Sequence, residues 1–205
     1  MKRGRLIVLD GLDGAGKTTQ ARRLAGRLRR AGHEVVAVRD PGGTPIGEEI
    51  RRLLLDRRSS GMGLRAEVLL YMASRAQLVD EVIRPALARG AVVVADRFVT
   101  STVAYQGFGG RGAPRDIEAV GRYVLHDLRP DLLLVLDLDP RIGRRRRSGA
   151  PDRIEARDLA YHRRVRQGFL RQARRDPRRC RVLDGAAPAA EVAAAIWREV
   201  TRVLG

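Results

Sequence analysis

The sequence predicts one α/β domain over residues 1–205, a five-stranded parallel sheet flanked by helices, and three observations carry that prediction. Short apolar runs alternate with segments of helical spacing along the whole chain. The runs are almost uniformly apolar, as strands covered on both faces must be, and do not show the in-out alternation of a half-exposed sheet. Apolar residues make up 44% of the 205, and a chain of this length buries roughly 70% of its unfolded surface, so its core needs neither disulfides nor a structural metal.

The elements follow in order. Arg5 to Leu9 is an apolar run ending at Asp10, then comes Gly-rich sequence and a helical stretch from about Lys17 to Ala31. Further strands are predicted at Val35 to Val38, Ala91 to Ala95, Leu132 to Leu136 and Cys180 to Leu183, with long helices around residues 64–89 and 114–126. Leu53, Leu54, Leu69, Leu70, Leu78, Val82 and Leu87 recur at helical intervals and read as core stripes. Two segments break the alternation. Gly107 to Pro114 is too rich in glycine to hold a regular element, and Arg144 to Asp152 is basic and punctuated by Gly and Pro; both are expected to be mobile loops. No repeat or composition shift divides the chain, no run of 18 apolar residues occurs, and the amino terminus lacks an apolar signal core. Cys180 has no second cysteine to pair with. A soluble protein of the reducing cytoplasm is the expectation, with no membrane partner.

The charge balance is 41 basic against 24 acidic residues, a formal +17. All but two of the basic residues are Arg, which reads as coding bias and not as a functional choice. The excess favours anionic partners in general. A nucleic-acid module is disfavoured because the cations are scattered through every element and only 4% of residues are aromatic. In a chain that writes nearly every cation as Arg, an internal Lys17 calls for a reason.

The reason lies in Gly11-Leu-Asp-Gly-Ala-Gly-Lys17-Thr18, which fits G-x-x-x-x-G-K-[ST] between a predicted strand and a predicted helix. Chance would produce such a match in a chain of this length on the order of 1% of the time. The glycines let successive backbone N–H groups turn inward around phosphate oxygens, and the following helix adds its positive end. Gly11, Leu12, Asp13, Gly14, Ala15, Gly16, Lys17, Thr18 and Thr19 are therefore the candidate ATP-binding residues, with Lys17 on the β- and γ-phosphates and Thr18 on Mg²⁺. Asp13 is unusual inside a loop that holds anions, and points to a hydroxyl or metal of a second substrate. No N-K-x-D-like guanine reader follows a late strand, which argues against a GTPase.

Four further segments make the reading specific: Val38-Arg-Asp-Pro-Gly-Gly-Thr44, Glu67-Val-Leu-Leu-Tyr-Met-Ala-Ser-Arg75, Asp96-Arg-Phe-Val-Thr-Ser-Thr-Val-Ala-Tyr-Gln-Gly107 and Asp152-Arg-Ile-Glu155, with Arg129-Pro-Asp-Leu132 before the fourth strand. With the phosphate loop they resemble the thymidylate kinase family, P-loop nucleoside-monophosphate kinases that phosphorylate dTMP with ATP, in the right order over most of the chain. The resemblance implies that Arg39 and Arg97 meet the acceptor phosphate, a task suited to the planar guanidinium fork. It implies that Tyr71 stacks on thymine and Arg75, one helical turn on, bonds the base edge. Thr102 and Gln106 fall near the base, Ser101 near phosphate and base, and Tyr105 against the sugar. Asp13 approaches the 3′-hydroxyl, and Asp96 lies near metal and acceptor.

The family delivers a transition-state arginine either from the phosphate loop or from a lid. Asp13-Gly14-Ala15 leaves the loop without one, so the lid, about residues 141–157, is expected to supply Arg153, with Arg144 to Arg147 as neighbours for adenine or phosphate. Asp40 stands where the usual residue is Glu, one methylene longer. Gly185 to Pro188 replaces the adenine-side loop. A homodimer through the helices around 64–89 and 114–126 is also implied. The alternatives left open are a P-loop kinase for another nucleoside or nucleotide and, more distantly, a basic nucleic-acid-binding protein.

Overall fold

The computed structural model describes residues 3–147 and 149–205; Met1, Lys2 and Ser148, the last within the expected lid, lie outside them. Five strands, β1 (Arg5–Gly11), β2 (Val35–Arg39), β3 (Val92–Asp96), β4 (Leu132–Asp137) and β5 (Cys180–Asp184), form one parallel sheet in the order β2-β3-β1-β4-β5. The apolar runs land on these strands. Ile7 pairs with Val94 on one side and Leu132 on the other, so β1 is central and Leu6 to Leu9 are wholly buried. The edge strands β2 and β5 are only partly covered. Asp131 is a local fastener here. Its carboxylate accepts from the Leu6 backbone N–H (2.8 Å) and from Arg5 (3.0 Å), setting β4 beside β1.

Nine helices among the described residues cover the two faces: α1 (Lys17–Arg30), α2 (Pro45–Leu55), α3 (Leu64–Leu78), α4 (Arg84–Ala88), α5 (Val99–Thr102), α6 (Pro114–Leu125), α7 (Pro140–Arg146), α8 (Leu159–Arg175) and α9 (Ala189–Leu204). One core layer packs α1 and α9 against the sheet, through Leu24, Leu28, Ile196 and Val200. The other places Leu78, Val79, Ile83 and Phe98 over β1 and β3. The helix expected over 64–89 is continuous but passes through a π turn at Val79–Ile83 between α3 and α4. Pro85, which has no N–H and crowds the preceding turn, accounts for that break in the ladder.

Three expectations are corrected. Gly107 to Gly109 lie in a second π-helical segment, Val103–Gly109, packed on α8. A Cβ at Gly109 would come within 2.6 Å of Val165 and 2.8 Å of Tyr161, so glycine is there to let two helical backbones approach, not to loosen the chain. Arg144 to Arg146 form the last turn of α7. Leu53 and Leu69 are about half exposed, at 48% and 58%, because α2 and α3 turn those positions outward, whereas Leu54 and Leu78 are fully buried. Cys180 is buried, and that burial pushes its thiol up to about 12, which leaves it chemically inert.

Candidate active site

The carboxyl ends of β1, β2 and β3 open into one crevice, where parallel α/β sheets bind ligands. β1 runs straight into the glycine loop. Gly11, Gly14 and Gly16 all have positive φ (133°, 79° and 87°), a conformation that side chains disfavour. Gly14 also packs backbone to backbone on α7: a Cβ there would sit 2.3 Å from the Gly143 carbonyl oxygen. The loop hands over at Gly16 to α1, whose first residue is Lys17. The Lys17 Nζ donates to the Leu12 carbonyl (2.7 Å) and lies 4.0 Å from Asp13. Burial lowers this amine to about 8, against the pull of Asp13, Asp96 and Asp10.

Thr18 Oγ1 donates to Asp96 Oδ2 at 2.5 Å, bringing together the two residues expected at a metal. One hydroxyl and one carboxylate beside a phosphate cradle fit Mg²⁺, which keeps most of its waters and takes its other ligands from substrate phosphates. Asp13, Gly14, Gly16, Lys17, Thr18, Thr19, Arg39, Asp96 and Arg97 line this crevice, about 850 Å³ and open to solvent. Arg39 ends β2 and donates to both carboxylate oxygens of Glu48 (3.0 Å each).

A second cavity of about 510 Å³ adjoins it, lined by Asp13, Tyr71, Arg75, Arg97, Ser101, Thr102, Tyr105 and Gln106, all named from the sequence as acceptor residues. Arg97 joins the two. Its φ of +72° is rare for a side-chain-bearing residue and is held by a bond from its N–H to the Leu9 carbonyl (2.9 Å). The guanidinium donates to the Gly11 carbonyl (3.0 Å), to Ser101 Oγ (3.1 Å) and to Asp13. Tyr105 Oη donates to the other oxygen of Asp13 (2.7 Å). Burial alone would raise the Asp13 carboxyl, but Arg97, Lys17 and Tyr105 hold it well below the usual carboxylate range, so it is ionised. Arg75 is buried to 1% and its Nε donates to Asp40 Oδ2 at 2.5 Å, while Nη2 donates to Thr102 (3.0 Å). The aspartate at position 40 thus serves as the buried counter-ion of Arg75.

Arg153 does not line the phosphate crevice. Its guanidinium donates to Glu67 (2.6 Å) and to the Leu54 carbonyl (2.8 Å), and both members of the Arg153–Glu67 pair are buried. Of the arginines expected in a lid, Arg144 and Arg147 share a narrow recess with Asp13.

Sequence reasoning missed Arg51, Glu67 and the state of Asp10. Arg51 lines both cavities from α2, and no local pattern sets it apart among so many arginines. Glu67 lay inside a quoted motif without a role. Asp10 could be suspected as a carboxylate ending a uniformly apolar strand. It is fully buried, accepts from Ser101 Oγ (2.5 Å) and the Gly11 N–H (3.0 Å), and has no partner for Oδ2. Burial pushes it up to about 6, with Arg97 opposing.

This folded-state value lies above the ordinary 3.8 of an unfolded Asp, so the native state holds the extra proton between them and loses stability as pH rises from about 4 to 6. Above pH 6 the penalty is constant, about 3 kcal/mol. Asp10→Asn, which mimics the protonated form, is expected to unfold at a higher temperature than the wild type at pH 7.5 and at nearly the same temperature at pH 4. Thermal scans at the two pH values check the sign.

A thymidylate kinase family profile matches residues 9–196. The chain is 50% identical to the thymidylate kinase of Deinococcus radiodurans over 98% of both chains, and 46% identical to that of Caulobacter vibrioides over the full length of both. The crystal structure of thymidylate kinase from Ehrlichia chaffeensis superposes with a TM-score of 0.81 at 30% identity, covering 97% of this chain and 99% of that one. The family profile spans most of the chain and the relatives are alike along their whole length, in keeping with a central strand that feeds a glycine loop: the chain belongs to the thymidylate kinase family.

Proposed function

We infer that the protein transfers the γ-phosphoryl group of ATP to the 5′-phosphate of dTMP, giving ADP and dTDP. The observation that carries this reading is the pair of adjoining cavities joined at Asp13 and Arg97, one built from the phosphate loop and one from the residues of the acceptor motifs. Backbone N–H groups of Gly11 to Thr19 and the Lys17 ammonium bind the triphosphate. Thr18 and Asp96 would hold Mg²⁺, which would supply neutralisation of phosphate charge. Arg97 and Arg39 take the acceptor phosphate, and Arg39 leaves Glu48 to do so. Tyr71 stacks on the base, Arg75 and Thr102 bond its edge, Tyr105 closes the sugar side, and ionised Asp13 accepts from the 3′-hydroxyl. The reaction depends on positioning and charge neutralisation. The lid cations that serve it here are Arg144 and Arg147, because Arg153 is occupied by Glu67.

Leu69 on α3 and Tyr123 on α6 are exposed apolar residues on two helices that pack together, which supports the homodimer implied for this face. The described helices include none long and apolar enough to cross a membrane.

The functional test is ADP formation from Mg·ATP with dTMP, beside dUMP, dCMP, AMP and no acceptor. Turnover dependent on dTMP supports the reading. Equal turnover without acceptor refutes the acceptor cavity, and preference for another nucleotide refutes the roles given to Tyr71, Arg75 and Tyr105.

A further inference from the structure

Glu67 joins two parts of the molecule that are far apart in sequence. Its side chain is 3% exposed, and each carboxylate oxygen has one partner: Oε2 accepts from Arg153 (2.6 Å), Oε1 from the Gln106 amide (2.7 Å). On one side, Gln106 lines the acceptor cavity, and its own Oε1 is buried with no partner. On the other, Arg153 is stitched to the end of α2 through the Leu54 carbonyl, and its N–H donates to the Leu55 carbonyl (3.3 Å). Asp152 and Ile154, flanking Arg153, form part of the acceptor cavity wall. The next residue, Glu155, lines the phosphate crevice and lies 3.8 Å from Arg147. A continuous path of polar contacts and backbone, buried as far as Arg153 and partly exposed at Glu155 and Arg147, therefore runs from the acceptor cavity to the lid cations.

We propose that Glu67 is a positioning residue that couples occupancy of the acceptor cavity to placement of the lid over the phosphates. This rests on the reading above, that the cavity holds a pyrimidine nucleotide. An N–H of the pyrimidine ring gives Gln106 Oε1 the donor it lacks and fixes the amide with its NH₂ toward Glu67. Glu67 then holds Arg153, and Arg153 holds the 152–155 turn so that Glu155 and Arg147 face the phosphate crevice. A transition-state arginine cannot at the same time satisfy a buried carboxylate, so Arg153 acts through the lid and not on the phosphoryl group.

The Arg144–Arg147 run supplies its own probe, because trypsin cleaves after arginine. In the wild type, dTMP alone is expected to slow cleavage in this run, and calorimetry reports dTMP binding separately. Glu67→Gln is expected to bind dTMP within about threefold of wild type, lose the dTMP-dependent protection, and lose about 30-fold in kcat with little change in the KM for dTMP, the mark of misplacement without lost binding. Arg153→Met is expected to match it, and Glu67→Gln with Arg153→Met to be no worse than either, since both residues act through one link. The double variant also removes both buried charges together, so it reports on the link if a single variant fails to fold.

The proposal is overturned if Glu67→Gln, or the double variant in its place, keeps wild-type kcat and protection. It is equally overturned if Arg153→Met loses kcat while Glu67→Gln does not, or if the loss appears only as weaker dTMP binding. Absence of dTMP binding by the wild type is a separate result: it removes the functional reading and the coupling with it.

Discussion

Replacing Lys17 with alanine is expected to lower kcat by about 10³-fold, the scale for removing a charge donor that acts on transferring phosphate, without lowering the thermal midpoint. The second half of that expectation follows from its surroundings. Lys17 is buried, and burial brings its amine down to about 8, so the folded protein loses no net support when the ammonium is deleted. Asp13, its nearest carboxylate, keeps Arg97 and Tyr105. Arginine is not expected to rescue the rate, because Nζ sits 2.7 Å from the Leu12 carbonyl and the loop is shaped around a single ammonium. The same geometry sets a pH dependence. Phosphate binds the charged form, so as pH rises past about 8 ATP binding must take up a proton and weakens, up to about tenfold per pH unit. Calorimetric titration with Mg·ATP between pH 7 and 9.5 would show that decline in the wild type and its absence in Lys17→Ala.

The largest expected loss of stability comes from Asp40→Ala. It leaves the Arg75 guanidinium, 1% exposed, without its carboxylate, and breaking one side of such a buried pair costs about 3–5 kcal/mol. For a chain of this size that corresponds to a fall of roughly 10 °C in thermal midpoint. Removing both charges, as Asp40→Leu with Arg75→Met, is expected to recover most of the midpoint while the KM for dTMP stays raised at least tenfold. Scanning calorimetry and steady-state kinetics on the two variants separate the fold from the site. A midpoint for Asp40→Ala within 2 °C of wild type would show that the pair is unimportant to the fold.

These two residues also show how far the sequence could be read. Lys17 was legible because the phosphate loop is a local pattern: a buried strand, positive-φ glycines and a helix start follow one another within a dozen residues. The five strands were legible for the same reason, since a run buried on both faces carries its signal in its own composition. Asp40 was noticed as a departure, but its partner lies 35 residues away on α3, and no spacing rule reaches across that gap. The Glu67–Arg153 link spans 86 residues and was invisible in the same way, so Arg153 was expected at the phosphates. Gly107 to Gly109 were misread because glycine has two uses, freedom and thinness, and only the neighbouring α8 reveals which applies. Leu53 and Leu69 fit a helical stripe, yet periodicity cannot say whether a second apolar face meets the chain's own core.

The strand order has a consequence for how the molecule is made. β1 leaves the ribosome first, but its neighbours in the sheet are β3 and β4, at residues 92–96 and 132–137. Until about two-thirds of the chain has been synthesised, the central strand has no complete pair of neighbours, and at 5–20 residues per second that interval lasts on the order of ten seconds. Parallel pairing over such separations is slow and leaves sticky edges exposed. The central position that lets β1 aim the phosphate loop into the crevice therefore makes the nascent chain a client for factors that shield apolar segments, and fragments ending before β4 are expected to aggregate.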